Sequence, residues 1–98
     1  MRGEVMLEAG TLRLPLRPTF AALVAAEQEV GSLVLLMRRV ADGDVRLADA
    51  GPLLWHCAVA SGEVRVGRDA FEAKLAEAGV QALLPAYRGL LARIFAGG

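Results

Sequence analysis

One cysteine, Cys57, and one histidine, His56, are all that this 98-residue sequence has of either. A lone thiol excludes an intramolecular disulfide, and one Cys with one His cannot close a four-ligand zinc site within a single chain. A reducing compartment is the simplest setting, so a cytoplasmic location is expected. Aromatic residues make up only 5% of the chain, and asparagine is missing. No run of about 18 apolar residues exists, so no membrane-spanning helix is expected. The longest apolar stretches, Phe20–Ala26 and Leu33–Met37, both run into charged residues. Met1-Arg2-Gly3-Glu4 leads into no signal-peptide core before Gly10. Neither charge is in excess, with 11 basic against 11 acidic residues. A nucleic-acid footprint and an acidic disordered tail are both unexpected on that balance.

What is abundant is Ala, Val and Leu. Hydrophobic residues make up 55% of the chain and the mean hydropathy is +0.44, against a usual apolar share of ~45–50%. The length allows one domain, residues 1–98, which buries roughly 60–65% of its unfolded surface. So small a body cannot hide all of its apolar side chains. An apolar surface for a partner, or for self-association as a homo-oligomer, is therefore expected.

The expected fold class is α+β: a β-hairpin over residues 1–17, then a helical part over residues 18–98 with four or five short helices. Leu12, Leu14 and Leu16 alternate with Arg13, Pro15 and Arg17, as in a half-buried strand. A turn at Ala9-Gly10 sets Leu7 opposite Leu12 and Val5 opposite Leu14. Pro15 cannot donate to a ladder, which suits a short or edge strand. Thr19 is placed to cap a helix over Phe20–Val30, with Phe20, Leu23 and Val24 inward. Ser32 is placed to cap the next helix, where Leu33, Leu36, Met37 and Val40 form one apolar stripe. Asp49 is a plausible cap for a third helix reaching Ala60, with Pro52 in its first turn. Asp69 and Glu72 have the spacing of a capping box for a fourth helix that ends at Gly79.

The last helix covers about Ala82 to Ala96. Leu83, Tyr87, Leu90 and Ile94 form one stripe, and Leu84, Leu91 and Phe95 the adjacent one. Spacing alone leaves open which stripe faces inward. Pro85 means that the helix begins nearby or is kinked in its first turn.

Sites of chemistry are scarce. His56 and Cys57 are helix neighbours pointing about 100° apart, so they do not form a nucleophile–base pair. The expected arrangement is a buried Cys57, a half-exposed His56 and a packing Trp55. Asp42-Gly43-Asp44 lacks the further oxygen ligands of a calcium loop and reads as a turn. Gly62–Arg68 carries no phosphate-loop or dinucleotide pattern. Arg38-Arg39 suits a helix C-terminus. The two serines, Ser32 and Ser61, lie on separate helix ends, so no Ser/His/Asp set can be assembled. No enzyme, no cofactor and no metal is expected.

In order and spacing the chain resembles a known family. The likeness is carried by Gly3-Glu4-Val5 opening the hairpin, Leu12-Arg13-Leu14, Phe20–Glu27, Gly31-Ser32-Leu33 and Leu36–Gly43. It continues through Leu47-Ala48-Asp49 and Glu77-Ala78-Gly79-Val80 to the closing Phe95-Ala96-Gly97-Gly98. These resemble the gene transfer agent and phage-tail proteins of the tail tube or tail assembly chaperone type. The resemblance implies a chaperone that binds the long tape-measure protein and keeps it soluble in the bacterial host's cytoplasm while the tail assembles. A structural tail or tube subunit retained in the particle is the alternative. Partners are then the tape-measure protein or other tail proteins, with no nucleic acid and no membrane. On that view Met37, Trp55, Tyr87, Leu91 and Phe95 are the candidate partner contacts, and core packing is the competing role for each.

Overall fold

The computed structural model describes residues 5–96. Two antiparallel strands, β1 (Val5–Ala9) and β2 (Leu12–Leu16), precede five helices. These are α1 (Phe20–Val30), α2 (Leu33–Ala41), α3 (Leu47–Ser61), α4 (Arg68–Ala78) and α5 (Val80–Ala96). The α+β hairpin-then-helices order expected from the sequence is the order observed.

The hairpin register differs from expectation by two residues. Ala9 pairs with Leu12, Leu7 with Leu14 and Val5 with Leu16, so the turn is Gly10-Thr11 rather than Ala9-Gly10. Gly10 has φ +61 and Thr11 has no positive φ, which is the pattern of a turn with Gly at its first central position. Turn geometry sets register. A slip of two keeps every side chain on its face, so Leu7, Leu12 and Leu16 still point to the core and are buried. Counting outward from the turn, Pro15 falls opposite Met6 at a non-hydrogen-bonded position. Its missing N–H therefore costs no bond to β1 and removes one from the outer edge of β2.

The apolar face of the hairpin rests on helices: β1 against α5 and β2 against α3. A Cβ added at Gly89 would lie 3.5 Å from Val5 Cγ1. That is an ordinary van der Waals contact, so an alanine would fit here without moving α5 off β1. Just beyond β2, the Arg17 amide donates to the Cys57 carbonyl at 2.9 Å and ties the strand to α3.

α1 packs chiefly on α3, but not through the residues expected. Phe20 is 83% exposed and Val24 is also exposed, while Ala22 and Ala26 are buried and Leu23 is half-buried. Small residues at the contact let two helices approach closely. α1 has no charged residue before Glu27, so its sequence does not mark an inner face. Its N-terminus is capped as expected, with Thr19 Oγ1 accepting from the Ala22 amide at 3.1 Å.

Three helix starts also differ from expectation. α3 begins at Leu47, two residues before Asp49, which lies in its first turn and does not cap it. α4 begins at Arg68, so Asp69 and Glu72 form no capping box; Glu72 accepts from Arg68 Nε at 2.9 Å instead. α5 begins at Val80 and runs through Pro85. The helical bond lost there frees the Gln81 carbonyl, and both Gln81 and Pro85 are exposed, so water can satisfy it.

Candidate partner-binding site

α2 carries two exposed large apolar residues, Val34 and Leu35. Ser32 caps it, its Oγ accepting from the Val34 and Leu35 amides at 3.1 and 3.4 Å. Glu27 Oε2 accepts the Leu33 amide at 3.2 Å. These bonds turn the chain at Gly31, and α1 and α2 meet at 73°. Neither is long and apolar enough to cross a membrane, and no single helix among the described residues is. Leu33, Leu36 and Val40 are buried as the stripe predicted, Met37 is half-buried, and Val34 (54%) and Leu35 are exposed.

One ion pair fixes α2 against the body. Arg39 Nη1 donates to both carboxylate oxygens of Asp49, at 2.9 and 2.8 Å. The Asp49 side chain is 9% exposed and that of Arg39 25%. Arg39 lies three residues from Leu36, at the border of the apolar stripe. It spans to the first turn of α3, where a carboxylate is favoured by the helix dipole. The sequence suggested only a helix-end role for Arg39.

Between α2 and α5 lies a cleft of about 320 Å³, lined by Met37, Val40, Ala41, Arg88, Leu91 and Ala92. Both walls follow the same spacing: 37, 40, 41 on one helix and 88, 91, 92 on the other. Residues at i, i+3 and i+4 share a helix face, so each wall of the cleft is one face of its helix. The rows continue into exposed apolar residues. Val34 lies three residues before Met37, and Phe95 (43% exposed) lies four after Leu91. This geometry suits an amphipathic helix laid into a groove. A second cleft, about 350 Å³ between α3 and α4, is lined in part by Leu47, Pro52 and Leu75. Glu72 also lines it and is already held by Arg68.

The five candidate contacts fall in three places. Met37 and Leu91 line the α2/α5 cleft, although Leu91 is only 1% exposed, and Phe95 extends its α5 wall. Tyr87, 1% exposed, is a core residue. It stands on the same α5 stripe as the buried Leu83 and Leu90, which settles the inner face of that helix. Leu91 from the adjacent stripe is buried too, on the side of α5 that meets α2 at the cleft. Trp55 is half-buried and packs edge-to-face on Phe71, with ring centroids 5.3 Å apart, away from the cleft-lining residues. Val40, Ala41, Arg88 and Ala92 are not among the partner contacts expected from the sequence. Matching the two i, i+3, i+4 rows would have found them, but only with the pairing of α2 and α5 known.

Polar groups elsewhere act as struts. Glu29 of α1 accepts from Arg68 Nη1 at 2.9 Å and from Nη2, and lies 2.6 Å from His56 Nε2. These contacts clip α1, α3 and α4 together. The Arg68 and His56 hydrogen bonds hold the Glu29 carboxyl down at about 2. Cys57 is buried, and burial pushes its thiol up to about 12, so it is a poor nucleophile. The Tyr87 hydroxyl is buried without a hydrogen-bond partner among the described residues. Burial, aided by the Asp49 carboxylate, pushes its phenol well above the ordinary range. Among the described residues no group of three or more His, Cys, Asp or Glu side chains could hold a metal ion.

A family model described as phage tail tube protein, GTA-gp10, matches residues 2–97. No curated protein and no solved structure matches the chain.

Proposed function

The chain belongs to the GTA-gp10 phage tail tube family, and from that premise we propose that it is a tail assembly chaperone. It works in the host cytoplasm, binds the tape-measure protein and keeps that protein soluble until tube subunits surround it. The observation that carries this reading is the α2/α5 cleft, lined by five apolar residues and Arg88, with exposed Val34 and Phe95 on the same helix faces. A chaperone of a long helical protein needs a surface that takes apolar helix faces and lets them go. Separately scattered apolar residues are ordinary on any surface, but residues aligned along a groove are not.

The family description itself favours the second reading, a tube subunit retained in the particle. A tube must join copies side by side and ring to ring, and sheet edges are the common means of doing so. The β structure among the described residues is one hairpin of two five-residue strands, and Pro15 takes a donor from the outer edge of β2. That weighs towards the chaperone.

The test is co-expression with the tape-measure protein of the same particle, followed by capture on this chain. The expected result is a soluble tape-measure protein that co-purifies, and loss of both effects with Ala92→Trp. Ala92 is exposed and lines the cleft, so a Trp there fills the groove without entering the core. A folded wild-type chain that neither binds nor solubilises the tape-measure protein overturns the reading.

A further inference from the structure

The two helices that wall the cleft are electrically unlike the rest of the chain. α2 and α5 together hold four arginines, Arg38, Arg39, Arg88 and Arg93, and no Asp or Glu. The whole chain is balanced at 11 against 11. Among the described residues every Asp and Glu therefore lies outside these two helices, in other helices, in the hairpin or in connecting segments. Arg39 is neutralised by Asp49. Arg38 and Arg88 are exposed, and neither has an ion-pair or hydrogen-bond partner among the described residues. Arg88 lines the cleft; Arg38 is not a lining residue and lies on α2 three residues before Ala41 and four after Val34. The nearest acid along the chain, Asp42, follows the last turn of α2, and Asp44 is held by Arg46.

We infer that the α2/α5 cleft receives an amphipathic helix whose apolar stripe is flanked by Asp or Glu. This rests on the cleft being the partner site, and it names the chemistry of the partner segment. The apolar row seats against Met37 and Ala92, and the flanking carboxylates meet Arg38 and Arg88. The same arginines repel a basic helix, so the surface selects among apolar helices by charge. A second copy of this chain fits less well, since its own cleft helices carry arginine and no carboxylate.

The test is fluorescence anisotropy on the full chain at low salt, with three labelled 18-residue peptides. One has a leucine stripe with Glu flanks, one the same stripe with Lys flanks, and one the Glu peptide with its leucines scrambled. Surface ion pairs are individually weak, but several opposed to several repulsions amount to about tenfold in affinity. The Glu-flanked peptide is expected to bind about tenfold or more tighter than either other peptide. Ala92→Trp should abolish that binding, and Arg88→Glu should erase or reverse the preference. Both positions are exposed, and thermal melts by circular dichroism check that the variants fold. Equal or tighter binding of the Lys peptide, equal binding of the scrambled one, or an Arg88→Glu variant with unchanged preference overturns the inference. So does displacement of the Glu peptide by a random single-stranded oligonucleotide, or a dimer that Ala92→Trp dissociates. Tape-measure binding without charge preference sinks this inference alone; a Glu preference without tape-measure binding sinks the chaperone reading alone.

Discussion

Arg39→Met should destabilise the fold by about 2–3 kcal/mol. Removing one partner of a fully buried ion pair costs about 3–5 kcal/mol, because the other charge stays behind without compensation. Asp49 is close to that limit, with a side chain 9% exposed. Two features lower the figure. The Arg39 side chain is 25% exposed, so water can reach the vacated position. Asp49 also keeps the favourable field of the first turn of α3. For a domain of this size each kcal/mol shifts Tm by about 4–8 °C, so Arg39→Met should melt about 10–20 °C lower. Urea unfolding followed by circular dichroism gives the free energy directly. The double variant Arg39→Met/Asp49→Leu removes both charges and should lie within about 1 kcal/mol of wild type. A loss under about 0.5 kcal/mol for Arg39→Met would show that the pair does not hold α2. A double variant as unstable as the single one would show that the carboxylate is not the source of the cost.

Three further outcomes are expected. The Glu29 carboxyl has a folded-state pKa of about 2 against an ordinary value of 4.5. Its contribution to stability is therefore full above about 4.5 and disappears as pH falls towards about 2. Glu29→Gln should flatten the acid limb of a pH–stability curve in that window; an unchanged limb refutes the strut. Tyr87→Phe removes a buried hydroxyl that has no partner, so stability should stay level or rise by up to about 1 kcal/mol; a loss beyond about 1 kcal/mol in urea unfolding means the hydroxyl is bonded. Phe20→Ala should change stability by less than about 0.5 kcal/mol, whereas Phe71→Ala should cost about 3–5 kcal/mol. Equal effects in chemical denaturation would contradict the orientation of α1.

The parts of the fold legible in the sequence are those where pattern and punctuation agree. The caps at Thr19 and Ser32 and the stripe of Leu33, Leu36 and Val40 each have one physical reading, and each is observed, whereas the alternation in β2 holds for Leu12, Arg13 and Leu16 but not for Pro15, which is buried. The register of the hairpin was not legible from alternation, because pairings two residues apart place the same side chains on the same face. The conformation of Gly10 decided it. The inner face of α1 was not legible because its first seven residues are all apolar, and close contact favours the small Ala22 and Ala26 over Phe20. The cleft was partly legible: Met37, Leu91 and Phe95 were flagged as surplus apolar residues. Trp55 and Tyr87 were flagged on the same ground and pack elsewhere. What the pattern lacked was the pairing of α2 with α5, a tertiary fact. The Arg39–Asp49 contact escaped for the same reason, since ten residues separate the partners and each has an ordinary local role at its helix end.

In the role proposed above, this chain serves tail assembly and then leaves. The most direct test of that role is the number of copies of this chain per particle, measured by quantitative mass spectrometry on purified mature tails and on assembly intermediates. The account predicts the chain in intermediates that contain the tape-measure protein and its loss from finished tails. A fixed number of copies in mature tails, in step with the tube, would contradict the account and make the chain a structural subunit.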